Sequence, residues 1–266
     1  MSRSVPRLQR LTSRQHDVVR RCRRLATHRE AGPLVLLDGE HLLGEALAAR
    51  LPVVTVVTDG EASGSVARAR SAGAEVYLAS PSVIAAASPV KSPAGIVSIA
   101  RWQPQPLEDT IGAADTLAIG LVNVQDPGNV GGAIRGAAAL GATGVACLDG
   151  TADPGGWRAL RGAMGSTFRL PVARGATAAA IALARGTGVR VVAASARQGA
   201  PLDRADLSRP LLVLLGHEGT GLPEAVLSKA DAHITIPMAR GVESLNVAVT
   251  AALILFEAQR RAGGSR

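Results

Sequence analysis

Gly241-Val-Glu-Ser-Leu-Asn-Val-Ala-Val-Thr-Ala-Ala-Leu-Ile-Leu-Phe256 reads as a polar loop running into an apolar helix. No charge falls between Val247 and Phe256. A helix that is apolar all round is buried on every side, so residues 244–261 are expected to form a core helix. The apolar run is too short to cross a bilayer. Ser244 and Asn246 stand at its mouth, where unpaired peptide N–H groups and the positive end of the helix dipole collect. Such a place suits a ligand.

Working outward, strands and helices alternate. Apolar or β-branched runs at 116–124, 143–148, 170–172, 189–194, 211–215 and 233–237 are expected strands. Helical spacing covers 130–140, 157–165, 176–184 and 223–229. A mostly parallel sheet follows, with its ligands beyond the carboxyl ends of the strands. A smaller α/β alternation precedes it: helices at 13–31, 40–50, 65–72 and 81–87, and strands at 33–37, 52–58, 75–79 and 95–100. Ser13 is the expected cap of the first helix, with Val18, Cys22 and Leu25 facing inward. Trp102-Gln-Pro-Gln-Pro106 separates the two alternations. The expected domains are therefore 1–101 and 116–266, joined by a linker at 102–115.

Charge narrows the function. The 266 residues carry a net charge of +8, and Lys91 and Lys229 are the only lysines among the 29 basic residues. Arg3, Arg7, Arg10, Arg14, Arg20, Arg21, Arg23, Arg24 and Arg29 crowd the first 30 residues against Asp17 and Glu30. A solvated helix face would explain this cluster. So would a phosphate-binding arm, because guanidinium groups grip phosphate bidentately and stack on bases. Arg20, Arg21, Arg23 and Arg24 are its candidate RNA contacts. Cys22 and Cys147 lie far apart without metal-ligand neighbours, which suits reduced thiols in the cytoplasm. The arginine-rich start lacks the apolar core of a signal peptide. No His/Cys/Asp cluster has metal-ligand spacing, so no metal is expected.

Three strand ends are more polar or glycine-rich than packing requires. The first is Asn123-Val-Gln-Asp-Pro-Gly-Asn-Val-Gly-Gly-Ala-Ile-Arg135. Pro127-Gly128 makes the turn, Asn129 is placed to cap the helix, and Gly131 and Gly132 permit close approach. Taken alone, this is also what an ordinary strand–turn–helix looks like. It is neither a dinucleotide-binding fingerprint nor a P-loop. The second is Leu215-Gly-His-Glu-Gly-Thr-Gly-Leu-Pro-Glu224, with Glu218 at its centre. His217 could be a general base, although a solvent-exposed histidine is the more ordinary reading. The third is Ile234-Thr-Ile-Pro-Met-Ala-Arg-Gly-Val-Glu-Ser-Leu-Asn246.

Together, in this order, the three motifs resemble the SpoU (TrmH) branch of the SPOUT RNA methyltransferases over roughly residues 116–261. Asp126 to Arg135, Leu215 to Leu222, and Ile236-Pro-Met through Ser244-Leu-Asn246 carry the match. One departure is Arg240, where the family usually has glycine; here glycine follows at Gly241. The first hundred residues resemble, more weakly, a ribosomal-protein-like RNA-binding domain, through Thr12-Ser13, Asp38-Gly39-Glu40 and Ser92-Pro93-Ala94-Gly95-Ile96. The resemblance implies an α/β fold whose C-terminal segment forms a trefoil knot, and a homodimer with the site near its interface. It implies S-adenosyl-L-methionine held at the three loops, with Leu215, Gly216, Ile236, Met238 and Leu245 on the cofactor side. Asn129, Arg135, Glu218, Ser244 and Asn246 fall on active-site positions. The implied reaction is methylation of a ribose 2′-hydroxyl in structured RNA.

An arginine is normally always charged, so Arg135 as the base is demanding and needs a substrate phosphate and a dry site to perturb it. The safer assignment is that it holds a phosphate and orients the hydroxyl, with Asn129, Ser244 and Asn246 as hydrogen-bonding partners. Ribosomal RNA is favoured over transfer RNA because of the additional N-terminal domain. A self-protective ribosomal methylation shares this two-domain layout. The rival of a different class is a non-catalytic RNA-binding protein on the same scaffold. It predicts RNA binding without methyl transfer, and the intact set of polar residues argues against it.

Overall fold

A computed structural model describes residues 8–27, 32–60 and 64–263. Arg3, Arg7 and Arg29 lie outside the described residues. The chain divides into two compact units. The first runs to Gln103 and takes back Gly155–Phe168; the second comprises Pro104–Pro154 and Arg169–Arg266.

The first unit contains β1 (Gln9–Leu11), α1 (Asp17–Thr27), β2 (Leu34–Asp38), α2 (Glu40–Ala48), β3 (Val53–Thr58), α3 (Gly64–Ser71), β4 (Glu75–Ala79), α4 (Pro81–Ala87) and β5 (Ile96–Arg101). Its sheet has the order β1-β4-β3-β5-β2. β1, β4 and β3 run parallel, and β5 is antiparallel to both β3 and β2. Val19, Cys22 and Leu25 of α1 recur at helical spacing and are buried in a core with Leu36, Val57, Ile84 and Ile99. The helix starts later than 13. Ser13 Oγ accepts from the Gln15 amide at 3.1 Å in a local turn, and His16 Nδ1 accepts from the Val18 amide at 3.3 Å. His16, not Ser13, is therefore the cap. Val18 is only half-buried, and Val19 takes the core position.

The second unit contains α5 (Leu107–Ile111), β6 (Leu117–Leu121), α6 (Pro127–Ala139) and β7 (Gly144–Cys147). After α7 (Trp157–Ala163), which belongs to the first unit, come β8 (Val172–Arg174), α8 (Thr177–Gly186), β9 (Arg190–Ala194) and β10 (Ala200–Pro201). β11 (Leu211–Leu215), α9 (Glu224–Leu227), β12 (Ala232–Thr235) and α10 (Val247–Gly263) complete it. The sheet order is β10-β12-β9-β11-β6-β7-β8, and every pairing is parallel. All five residues of β11 and of β6 are buried, so these strands read as continuous apolar runs rather than alternations.

Two expectations about organisation change. The interval 102–115 is folded rather than a free connector. The Gln105 amide donates to the Val172 carbonyl at 2.9 Å, and Thr110 and Ile111 of α5 are buried. In the first unit, Trp157 Nε1 of α7 donates to the Ala26 carbonyl at 3.1 Å, and Arg161 pairs with Asp38 at 3.6 Å. Residues 155–168 thus leave the domain that 116–266 was expected to form.

The terminal helix also differs. Val247, Ala251, Ile254, Leu255 and Ala258 are buried, but Val249, Leu253 and Phe256 are 48%, 40% and 57% exposed. Only one side meets α6, where a Cβ on Gly132 would lie 3.2 Å from Ala248 Cβ and one on Gly136 3.8 Å from Ala252 Cβ. These two glycines let the helices approach closely, a turn apart. Opposite the buried residues, Val249, Leu253 and Phe256 form an apolar stripe left exposed in this chain.

Candidate active site

The carboxyl ends of β6, β11 and β12 lead into the three motifs. Asn123 leaves β6 with a left-handed backbone, φ 57°, which asparagine tolerates, and its amide donates to the Asp149 carbonyl at 2.7 Å. Asp126 then caps α6: its Oδ1 accepts from the Asn129 amide at 2.8 Å, with Pro127 at the first helical position. The expectation that Asn129 is the cap is therefore corrected. An aspartate directly before a proline at the helix start was the signal for the actual cap. The exchange of roles matters, because it leaves the Asn129 side chain to reach across the site.

Asn129 Nδ2 donates to Glu218 Oε1, and Asn129 Oδ1 accepts from Asn246 Nδ2 at 2.8 Å. Asn246 Oδ1 accepts from the Ala248 and Val249 amides at 2.9 and 3.3 Å, capping α10. The helix therefore starts at Val247 rather than at 244, with Asn246 as the boundary residue. One hydrogen-bond chain consequently links all three motifs, and its direction is fixed from both ends. The α10 amides can only donate, so Asn246 presents its oxygen to them and its nitrogen to Asn129. The Glu218 carboxylate accepts, so Asn129 presents its nitrogen there. Glu218 and Asn129 are half-buried and Asn246 is exposed, which leaves the assembly open to a substrate.

Arg135 and Ser244 are brought to neither end of this chain. Arg135 is exposed on α6, six residues beyond Asn129, or about 9 Å along the axis. Ser244 is exposed in the loop before α10. The departure at Arg240 also has a local explanation. Gly241 has φ 88° in a turn where the Val242 amide donates to the Ala239 carbonyl at 3.2 Å, so the glycine sits where the positive φ is needed.

On the expected cofactor side, Leu215 is buried at the end of β11, while Ile236, Met238 and Leu245 are half-buried. Gly216 is a glycine for a local reason. A Cβ there would overlap the Gly221 carbonyl and the Leu222 amide of its own loop, and its φ is not positive. The loop closes on itself around Gly216.

His217 lies in the same loop and is half-buried. Its Nδ1 accepts from the Gly219 amide at 3.0 Å and, more weakly, from the Thr220 amide at 3.4 Å. Both cysteines are buried, and burial pushes each thiol up to about 12, which makes them poor nucleophiles near neutral pH. Among the described residues no three His, Cys, Asp or Glu side chains gather as a metal site, and no helix is long and apolar enough to cross a membrane.

On α1, Arg20 pairs with Asp17, and Arg23 Nε donates to the Ala86 carbonyl at 2.8 Å. Arg20, Arg23 and Arg24 are exposed and Arg21 is half-buried. Arg23 thus spends part of its guanidinium on holding α1 to α4.

Residues 116–256 match the SpoU rRNA Methylase family. The chain is 33% identical over 221 residues to the 23S rRNA (guanosine(2553)-2′-O)-methyltransferase RlmP of Bacillus subtilis, covering 83% of this chain and 86% of that one. The AdoMet-bound rRNA methyltransferase from Sinorhizobium meliloti superposes with a TM-score of 0.87 at 31% identity, covering 96% and 98% of the two chains. The SpoU methyltransferase AviRb from Streptomyces viridochromogenes, in complex with AdoMet, gives a TM-score of 0.85 at 27% identity over 95% and 100%. With a matching family signature over the three motifs that the hydrogen-bond chain ties together, the protein belongs to the SpoU rRNA methylase family.

Proposed function

We propose that this chain transfers a methyl group from S-adenosylmethionine to a ribose 2′-hydroxyl of ribosomal RNA. The observation that carries the reading is the chain Glu218–Asn129–Asn246, which joins the three strand-end loops into one constellation. The donor supplies a methyl group on a sulfonium centre that departs as a neutral thioether, so no acid need assist it. The ribose hydroxyl must lose its proton as it attacks. Here Ile236, Met238, Leu245 and the Gly216 loop hold the adenosine side, and Glu218, Asn129 and Asn246 keep that loop in register with the helix ends. Arg135 binds the substrate phosphate. In this reading Ser244 is a further hydrogen-bonding partner of the ribose. RlmP is named for a ribosomal substrate, and this favours ribosomal over transfer RNA. Incubation with labelled S-adenosylmethionine and total RNA, followed by nucleotide mapping, tests the reading. Label at a 2′-O position of ribosomal RNA is expected. No label in any RNA would overturn it, and label confined to transfer RNA would move the substrate.

The same reading includes a homodimer, and the stripe Val249, Leu253 and Phe256 supports it. These residues recur at four and three positions, on one side of α10. Covering the roughly half of each side chain that is still exposed would contribute about 1 kcal/mol apiece, which favours a second copy on this face. Replacing Leu253 and Phe256 by glutamate should yield a monomer by light scattering coupled to size exclusion, with the wild type a dimer. A dimeric double variant would place the interface elsewhere. The reading further includes a trefoil knot formed by the C-terminal segment. The packing of α10 on α6, the helix that follows β6, is in keeping with that path. Cytoplasmic action fits the reduced, buried thiols.

The first unit is the RNA-docking module in this proposal, with Arg20, Arg21, Arg23 and Arg24 as its phosphate contacts. Replacing all four by glutamine should weaken RNA binding and flatten its salt dependence, by about 0.9 in log–log slope for each duplex phosphate that is no longer neutralised. Cofactor affinity should not change. Filter binding over a salt series measures both effects, and an unchanged slope would reduce the cluster to a solvated face. Because Arg23 also holds the Ala86 carbonyl, Arg20→Gln with Arg24→Gln alone should show the same trend without loosening α4.

A further inference from the structure

Three consecutive peptide N–H groups in the loop after β11 converge on one residue. The Gly219 and Thr220 amides point to His217 Nδ1 at 3.0 and 3.4 Å, and the Gly221 amide donates to the His217 carbonyl at 2.8 Å. An atom that receives two N–H groups must offer a lone pair, so Nδ1 carries no proton. In the neutral ring the proton then resides on Nε2. That leaves His217 no free nitrogen with which to act as a general base. A Cβ at Gly219 would make ordinary contact with the ring, 3.5 Å from Cε1 and Nδ1. Glu218, the anchor of the chain to Asn129 and Asn246, sits between His217 and the amides that His217 holds.

We propose that His217 is a positioning residue of the methyl-transfer site, fixed as the Nε2–H tautomer, whose Nδ1 shapes the Gly216–Leu222 turn and thereby aims Glu218. It rests on the function proposed above. The short side chain of asparagine can present an oxygen to the same following amides, as in an Asx turn. Alanine cannot. The turn, not a proton transfer, is what His217 supplies.

The test uses the full-length protein. Long-range proton–nitrogen NMR at a pH where the ring is neutral, with the signal assigned by its loss in His217→Asn, should show Nδ1 unprotonated and Nε2 protonated. A proton on Nδ1 would overturn the proposal. In kinetics on ribosomal RNA, His217→Ala should lower kcat by at least about tenfold through misplacement of the site, and weaken S-adenosylhomocysteine binding by calorimetry. RNA affinity by filter binding should hold. His217→Asn should recover most of both losses. Wild-type turnover in His217→Ala would refute the positioning role. An asparagine variant as poor as alanine would refute it too, because the imidazole itself would then be required. If the wild type methylates no RNA, the proposed function fails, while the tautomer and the cofactor titrations still decide the role of His217.

Discussion

Gly216→Val should abolish S-adenosylmethionine binding, with affinity down by on the order of 100-fold or more, and Gly216→Ala should be nearly as damaging. The β-carbon is the offending atom. It would overlap the backbone of Gly221 and Leu222, and backbone cannot rotate away as a side-chain tip can. The loop must therefore open, and with it the amides that converge on His217 and the placement of Glu218. β11 itself remains paired on both sides, with β6 and β9, so the sheet should survive, at an overpacking cost of about 1–3 kcal/mol. Calorimetric titration with S-adenosylhomocysteine, beside thermal melts, reads the two effects separately. If valine abolishes binding but alanine is harmless, the glycine leaves room for the adenosine rather than for its own loop. Normal binding in the valine variant would remove Gly216 from the cofactor site.

The Gly216 loop illustrates how far the sequence is legible. Periodicity and turn residues locate β4, α4 and β11 to the residue, because apolar runs bounded by Pro, Gly and Ser are local signals. They miss β1, a three-residue strand containing Arg10, whose place is decided by β4 beside it. They miss α5 because two prolines just before it suggest a linker. The allegiance of residues 155–168 depends on Trp157 reaching Ala26, 131 positions away. Local pattern cannot express that distance. At the site, the loops are legible as glycine-rich strand ends, but not which polar groups meet. Asp126 before Pro127 could have been read as the cap, but that Asn129 then bridges to Glu218 and Asn246 is visible only in the fold. The apolarity of α10 is plain in the sequence, but burial on every side does not follow from it. Val249, Leu253 and Phe256 of the same apolar run stay exposed in this chain.

Arg135→Ala should lower kcat/KM for RNA by on the order of 100-fold while S-adenosylhomocysteine titrates normally. Two observations set this expectation. Arg135 is exposed and about two turns along α6 from the Glu218–Asn129–Asn246 chain, so its loss removes no support from the cofactor loops. It also projects from the helix whose first turn carries Asn129, so it can hold a phosphate at a fixed offset from the site. A guanidinium has five donors and no acceptor, which suits phosphate; in the proposed reaction its work is to bring the hydroxyl into line and keep it there. Arg135→Lys retains the charge but loses the planar fork, and should fall between alanine and wild type, with the loss weighted toward KM. Steady-state kinetics on a ribosomal RNA fragment separates these cases. Near-normal turnover in the alanine variant would exclude both phosphate holding and hydroxyl orientation by Arg135, and would leave the exposed end of α6 outside the reaction.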